Sequence, residues 1–123
     1  TIGVGVPWQV QQTFMALSEL AGDVPMRAHF HDTRNTGIGN AYASLLAGVA
    51  TLDASIGGIG GCPFAPNARG NIATEDLVYL LNRSDVSHDL RMQPLLKAAA
   101  WLEPILGKRL PSMLLKAGDW PAH

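Results

Sequence analysis

A chain with a single cysteine, Cys62, cannot form an intrachain disulfide, which excludes the small secreted scaffolds that depend on such bridges. Net charge is almost absent: nine Lys plus Arg against ten Asp plus Glu leave −1 over 123 residues. That balance supplies no global field for nucleic acid or an acidic membrane. Aromatic residues make up only 7%, and no apolar run approaches the roughly 20 residues of a membrane span. A basic-then-apolar leader of the secretory kind is also lacking. The chain opens at Thr1 without a methionine, inside what reads as a strand-to-helix turn. The expected compartment is therefore the cytoplasm, with the mitochondrial matrix left open because the natural N-terminus is not in view. What the sequence does have is apolar residues, 47% against 15% charged. In a chain with room for one cored domain, that share implies surface meant to be covered by something else.

The apolar pattern alternates between two periods. Residues 1–6 read as a strand exit, and Pro7 suits the first turn of a helix, where a missing N–H costs nothing. Val10, Phe14, Leu17 and Leu20 recur at helical spacing up to Gly22. A short strand is predicted over 26–31, with Met26, Ala28 and Phe30 facing one way and Arg27, His29 and His31 the other. Asn35 or Thr36 is expected to cap a helix along Ala41, Leu45 and Val49 that ends near Gly48. A second strand is predicted over 50–56, followed by a glycine-rich loop over 57–71. Thr74 is expected to cap a third helix, with Glu75 and Asp76 in the first turn where the helix dipole favours acids. Beyond Ser84 the pattern is helical only: a stripe of Leu95, Ala98, Ala99, Leu102 and Leu106, then a last short piece from Pro111. Strands alternating with helices at this pitch indicate parallel α/β structure.

Three features carry chemical content. His29 and His31 flank Phe30, and in a strand residues two apart share a face, roughly 6–7 Å apart along the chain. Two imidazoles set that way can take adjacent positions around one metal ion; the plainer alternative is a hydrogen-bonded pair near a strand end. Asn71 stands between a loop and a helix, and its amide oxygen is a hard neutral ligand suited to Mg²⁺ or Mn²⁺, although a Gly-Asn before a helix is ordinarily a turn. Cys62 lies between Gly60-Gly61 and Pro63, where a mobile thiol could act as acid or base; otherwise it is a small hydrophobe. Asp53 and Ser55 read as barrel filling or hydrogen bonding, and Glu75 as favouring its helix end.

Taken together, His29-Phe30-His31-Asp32-Thr33, Gly60-Gly61-Cys62-Pro63-Phe64-Ala65, Gly70-Asn71 and the run from Ala73 through Tyr79 resemble the signature of the 3-hydroxy-3-methylglutaryl-CoA lyase family. Thr1-Ile2-Gly3-Val4-Gly5 is similar to that family's strand-six exit. The Gly-Gly-Cys-Pro loop is the most specific part, since related barrel synthases and aldolases share the HxH pair but generally lack the cysteine. The resemblance implies the C-terminal part of a (β/α)₈ TIM barrel, from the end of strand six to helix eight. Residues 1–83 would be partial barrel, and 84–123 a helical C-terminal extension of the same domain. It implies a divalent cation, Mg²⁺ or Mn²⁺, with His29, His31 and Asn71 as ligands, Cys62 as the loop's catalytic cysteine and His29 also in proton transfer. The implied partners are an acyl-CoA thioester and either a second copy in a homo-oligomer or the remaining barrel segment, with no nucleic acid and no membrane. Arg34, Asn35 and Thr36 depart from the better-known members, a difference that bears on the acyl group more than on the reaction. The family's first-strand Asp ligand and adjacent Arg have no counterpart here. Cleavage of a 3-hydroxy-3-methylglutaryl-CoA-like thioester is thus expected only of a complete barrel. A related lyase on a longer branched acyl-CoA, or a non-catalytic assembly module, is the alternative.

Overall fold

In a computed structural model, which describes residues 2–61 and 70–120, helices and short strands alternate before a helical tail. Helix α1 spans Pro7–Ala21, strand β1 Arg27–His29, helix α2 Gly37–Leu46 and strand β2 Thr51–Asp53. A 3₁₀ turn covers Ile56–Gly58. Helices α3 (Thr74–Arg83), α4 (Met92–Leu106) and α5 (Met113–Ala117) complete the order.

β1 and β2 pair in parallel, Arg27 against Thr51, Ala28 against Leu52 and His29 against Asp53. A parallel pair needs a crossover, and α2 supplies it. Alternation along the strands separates two faces. Phe30, Leu52 and Ala54 pack on the buried cluster of Ala41, Ile72, Leu77 and Leu81 from α2, α3 and the segment before α3. On the other face Arg27 and Asp53 make an exposed ion pair at 3.5 Å, with His29 exposed beside them.

Both strands are shorter than their sequence patterns predict, because another segment takes over the pairing. Residues 70–74 enter between the ends of the two strands. Asp32 N–H donates to Gly70 O at 3.2 Å and Ile72 N–H to Phe30 O at 3.3 Å. On the other side Ser55 N–H donates to Ile72 O at 3.1 Å and Thr74 N–H to Ser55 O at 2.8 Å. His31 therefore bridges Asn71, and Ser55 bridges Ala73. This use of the backbone also displaces an expected cap: Thr74 is the first residue of α3, and Ala73 holds the cap position without a side-chain bond.

The cap of α2 differs in a similar way. Asp32 Oδ1 accepts the Gly37 N–H at 2.8 Å, and Thr36, at the cap position, instead donates its hydroxyl to Gly5 O at 2.9 Å. Asn40 donates to the same carbonyl at 2.9 Å, and Arg34 reaches Gly3 O at 3.2 Å. Side-chain donors thus satisfy the extended residues 2–5, which form no ladder among the described residues. Arg34 and Thr36, read from sequence as bearing on the acyl group, serve here to tie down the strand exit.

The helical tail folds back on α3 and the 3₁₀ turn. Its predicted stripe holds for Leu95, Ala98, Ala99 and Leu102, while Leu106 is exposed. α1 is the opposite case. It forms at the predicted residues and has no buried residue at all; Trp8 is 69% and Leu20 85% exposed. Its period is helical, but two strands offer no surface wide enough to cover it. Expressed alone, residues 1–123 should therefore associate or aggregate and show no lyase activity, since an open parallel sheet leaves both a strand edge and apolar helix faces uncovered. Size-exclusion chromatography with near-UV circular dichroism checks this; a compact monomer with fixed aromatic signals would contradict it. Among the described residues no helix is long and apolar enough to cross a membrane.

Candidate metal centre

β1 delivers two histidines to its C-terminal end. Their ring centroids stand 5.1 Å apart with planes at 67°, so the rings meet edge to face. His29 faces outward, whereas His31 is 7% exposed and its buried Nδ1 has no hydrogen-bond partner. A buried ring nitrogen left unpaired is costly in a finished interior, which makes it a natural point for a ligand. Burial, reinforced by the neighbouring His29, pushes the His31 pKa below the usual histidine value, while a side-chain hydrogen bond with Asn71 pushes the other way. The neutral imidazole is thereby favoured, and that is the form a metal requires.

Asn71 sits directly across from His31 because residues 70–74 are seated between the strand ends. Its amide is oriented from the other side, where Nδ2 donates to Ile59 O at 3.0 Å. A carbonyl partner demands the NH₂ end, so the amide oxygen is the end available to His31, with which Asn71 shares a side-chain hydrogen bond. This approach depends on glycine: a Cβ on Gly60, at φ +105°, would lie 2.8 Å from Asn71 Nδ2, and one on Gly70 would overlap the Gly60 carbonyl. Two imidazoles and an amide oxygen are a donor set that a hard-to-borderline divalent cation accepts, with further oxygens needed from elsewhere. Among the described residues no group of three His, Cys, Asp or Glu side chains converges, so the amide is essential to any such site. Cys62 lies outside the described residues. The chain leaves them at Gly61 and returns at Gly70, beside Asn71.

Two neighbouring hollows extend the site. One of about 290 Å³ is lined by His29, His31, Phe30 and the apolar Ile2, Val4 and Val10. The other, about 410 Å³, runs past Gly58, Gly60 and Gly70 to Lys108, Arg109 and Lys116. Sequence reasoning missed these three cations, because they are scattered along α5 and the turn before it and meet only in the fold.

Glu75 and Asp76 do more than their positions in a first helical turn predict. Beyond favouring a helix end, Glu75 is completely buried and accepts the Gly57 N–H. Asp76 accepts the Ser112 hydroxyl at 3.0 Å and the N–H groups of Met113 and Leu114 at 3.0 and 2.8 Å, fixing α5.

Comparison with known proteins shows what the chain resembles. The HMGL-like family matches residues 1–102. The chain is 46% identical to (R)-citramalyl-CoA lyase of Chloroflexus aurantiacus over 96% of its own length and 37% of that protein's. It is 43% identical to a hydroxymethylglutaryl-CoA lyase of Bacillus subtilis, covering 94% of the chain and 39% of the relative. A solved HMG-CoA lyase from A. baumannii, in complex with coenzyme A and 3-methylmalate, superposes with a TM-score of 0.91 at 36% identity, over 100% of this chain and 42% of that one. The chain therefore spans well under half the length of the relatives it matches, and its fold is that of the C-terminal portion of their barrel.

Proposed function

The chain belongs to the HMGL-like family, and from that premise we propose that, within a complete barrel, it serves a C–C bond lyase acting on a 3-hydroxy-3-methylglutaryl-CoA-like thioester. The observation that carries this reading is the meeting of His31, with its unpaired buried Nδ1, and Asn71 at the ends of the strands. His29, His31 and Asn71 are the residues that would hold a divalent cation, Mg²⁺ or Mn²⁺. When bound, such a cation supplies Lewis-acid polarisation and a template for the substrate's oxygens.

The remaining work falls to side chains. Loss of the proton from the tertiary hydroxyl lets the adjacent C–C bond break; its electron pair leaves as the enolate of acetyl-CoA, and the hydroxyl carbon becomes the ketone of acetoacetate. The enolate then takes a proton on carbon. His29, exposed beside His31, is a candidate to exchange those protons, and so, by the family's Gly-Gly-Cys-Pro signature, is Cys62. The cationic groove suits the phosphates of coenzyme A, with Lys108 and Arg109 on the turn that Asp76 helps to fix. Removing both, Lys108→Ala with Arg109→Ala, should raise KM for the thioester by about tenfold or more and leave kcat nearly unchanged, since hydrogen bonds to charged groups are worth about 1.5–3 kcal/mol and remote contacts contribute uniform binding. Steady-state kinetics checks it; a fall in kcat with KM unchanged would contradict it.

The identity to a citramalyl-CoA lyase favours a second reading of the substrate. The same bond cleavage on an acyl group one carbon shorter would release pyruvate in place of acetoacetate. The complete protein, supplied with Mg²⁺ and each thioester in turn, distinguishes the two by the keto acid formed beside acetyl-CoA. Absence of acetyl-CoA from both, with the cation bound, would sink the lyase reading.

A further inference from the structure

Glu75 is the most deeply buried carboxyl group among the described residues and sits four residues beyond Asn71. Both its oxygens meet one donor, the Gly57 N–H, at 2.9 and 3.1 Å. Among the described residues no basic side chain forms an ion pair with it. Gly57 is the centre of the 3₁₀ turn and has φ +65°. It is gripped from two other sides: its carbonyl accepts the Ser112 N–H at 3.3 Å, and Leu110 packs against its Cα. The turn ends at Ile59, whose carbonyl accepts two side chains, the Ser55 hydroxyl at 2.6 Å and Asn71 Nδ2 at 3.0 Å.

We propose that Glu75 is a positioning residue that holds the 56–59 turn so that the Ile59 carbonyl fixes which end of the Asn71 amide faces His31. An amide is ambiguous by shape, since its oxygen and nitrogen are nearly the same size, and only its partners decide the orientation. Release of Gly57 lets the turn move, the Ile59 carbonyl leaves Nδ2, and the amide is free to present a donor where the site needs an acceptor. A buried acid that touches neither histidine thereby governs the third ligand. This rests on the reading of His29, His31 and Asn71 as cation ligands.

The test is made on the full-length protein with Glu75→Ala and Glu75→Gln, and has two readouts. In the metal-free state, side-chain amide NMR of selectively labelled asparagine reports the Asn71 NH₂ bonded to Ile59. Titration with Mn²⁺ reports cation affinity. Glu75→Ala should release the Asn71 amide and weaken Mn²⁺ binding by about 10–100-fold, the usual effect of losing an outer partner of a ligand. Glu75→Gln, which keeps an oxygen for the Gly57 N–H, should restore most of the affinity. Glu75→Ala added to Asn71→Ala should cost nothing more, because both act through the same amide. Where Glu75→Ala does not fold, Glu75→Asp, one methylene shorter, should show the same loss. A folded variant with an unaltered Asn71 amide overturns the positioning role. A released amide with unchanged Mn²⁺ affinity upholds the positioning role and overturns the ligand reading of the site.

Discussion

Replacing His31 by alanine in the complete protein should abolish divalent-cation binding and turnover together, with activity falling by about 10³-fold or more. The size follows from what is lost: Lewis-acid help is worth several kcal/mol, and each 1.36 kcal/mol is tenfold in rate. His31 is the deeper of the two histidines, and its Nδ1 is the one buried ring nitrogen of the pair with no partner. Alanine removes that donor and opens a space that no neighbouring residue fills. The lowered pKa sets the pH dependence. Since His31 takes up its proton below the usual histidine value, it should keep its metal-binding neutral form to lower pH than an ordinary histidine, and cation binding should fail only on further acidification. Mn²⁺ titration and acetyl-CoA release, measured on the same samples, check the result. A variant that binds the cation as the parent does would remove His31 from the site.

Cys62→Ser should separate what His31→Ala joins. Turnover is expected to fall by about 10²–10⁴-fold, the range of general acid–base assistance, while cation affinity stays nearly constant. A hydroxyl matches the thiol in size but holds its proton far more tightly, so it neither donates nor accepts at the required moment. The expectation rests on the Gly60-Gly61-Cys62-Pro63 run and on the closeness of Gly60, which opens that run, to the Asn71 amide. Turnover equal to the parent's would make Cys62 a small hydrophobe and nothing more.

Much of this was legible from residue types and spacing. The HxH pair lies at a strand end, and the alternation of Ala28 and Phe30 against His29 and His31 correctly separates the packed face from the chemical one. Helix periods located α1 and α4 closely, and Pro7 and Gly22 marked the ends of α1 because they act locally. Caps were read less well. Thr36 and Thr74 have the right chemistry and the right neighbours, but Gly5 and Ser55 claim their groups from elsewhere in the chain. No local pattern reports a partner 31 residues away. The same limit hid the roles of Glu75 and Asp76. An acid in a first helical turn satisfies the dipole rule wherever it points, and only the fold reveals that one grips Gly57 and the other α5.

The contact between the Gly60 carbonyl and Gly70 has an evolutionary consequence. It brings together the two points at which the chain leaves the described residues and returns to them. A closed insert is cheap to lengthen, at about 0.6 kcal/mol for each doubling. Among the described residues the hydrogen bonds of 70–74 run to Phe30, Asp32 and Ser55, so a change of length in the insert leaves these anchors of Asn71 in place. Selection on substrate can act on residues of the insert other than Cys62, and selection on the ion can act on the seam.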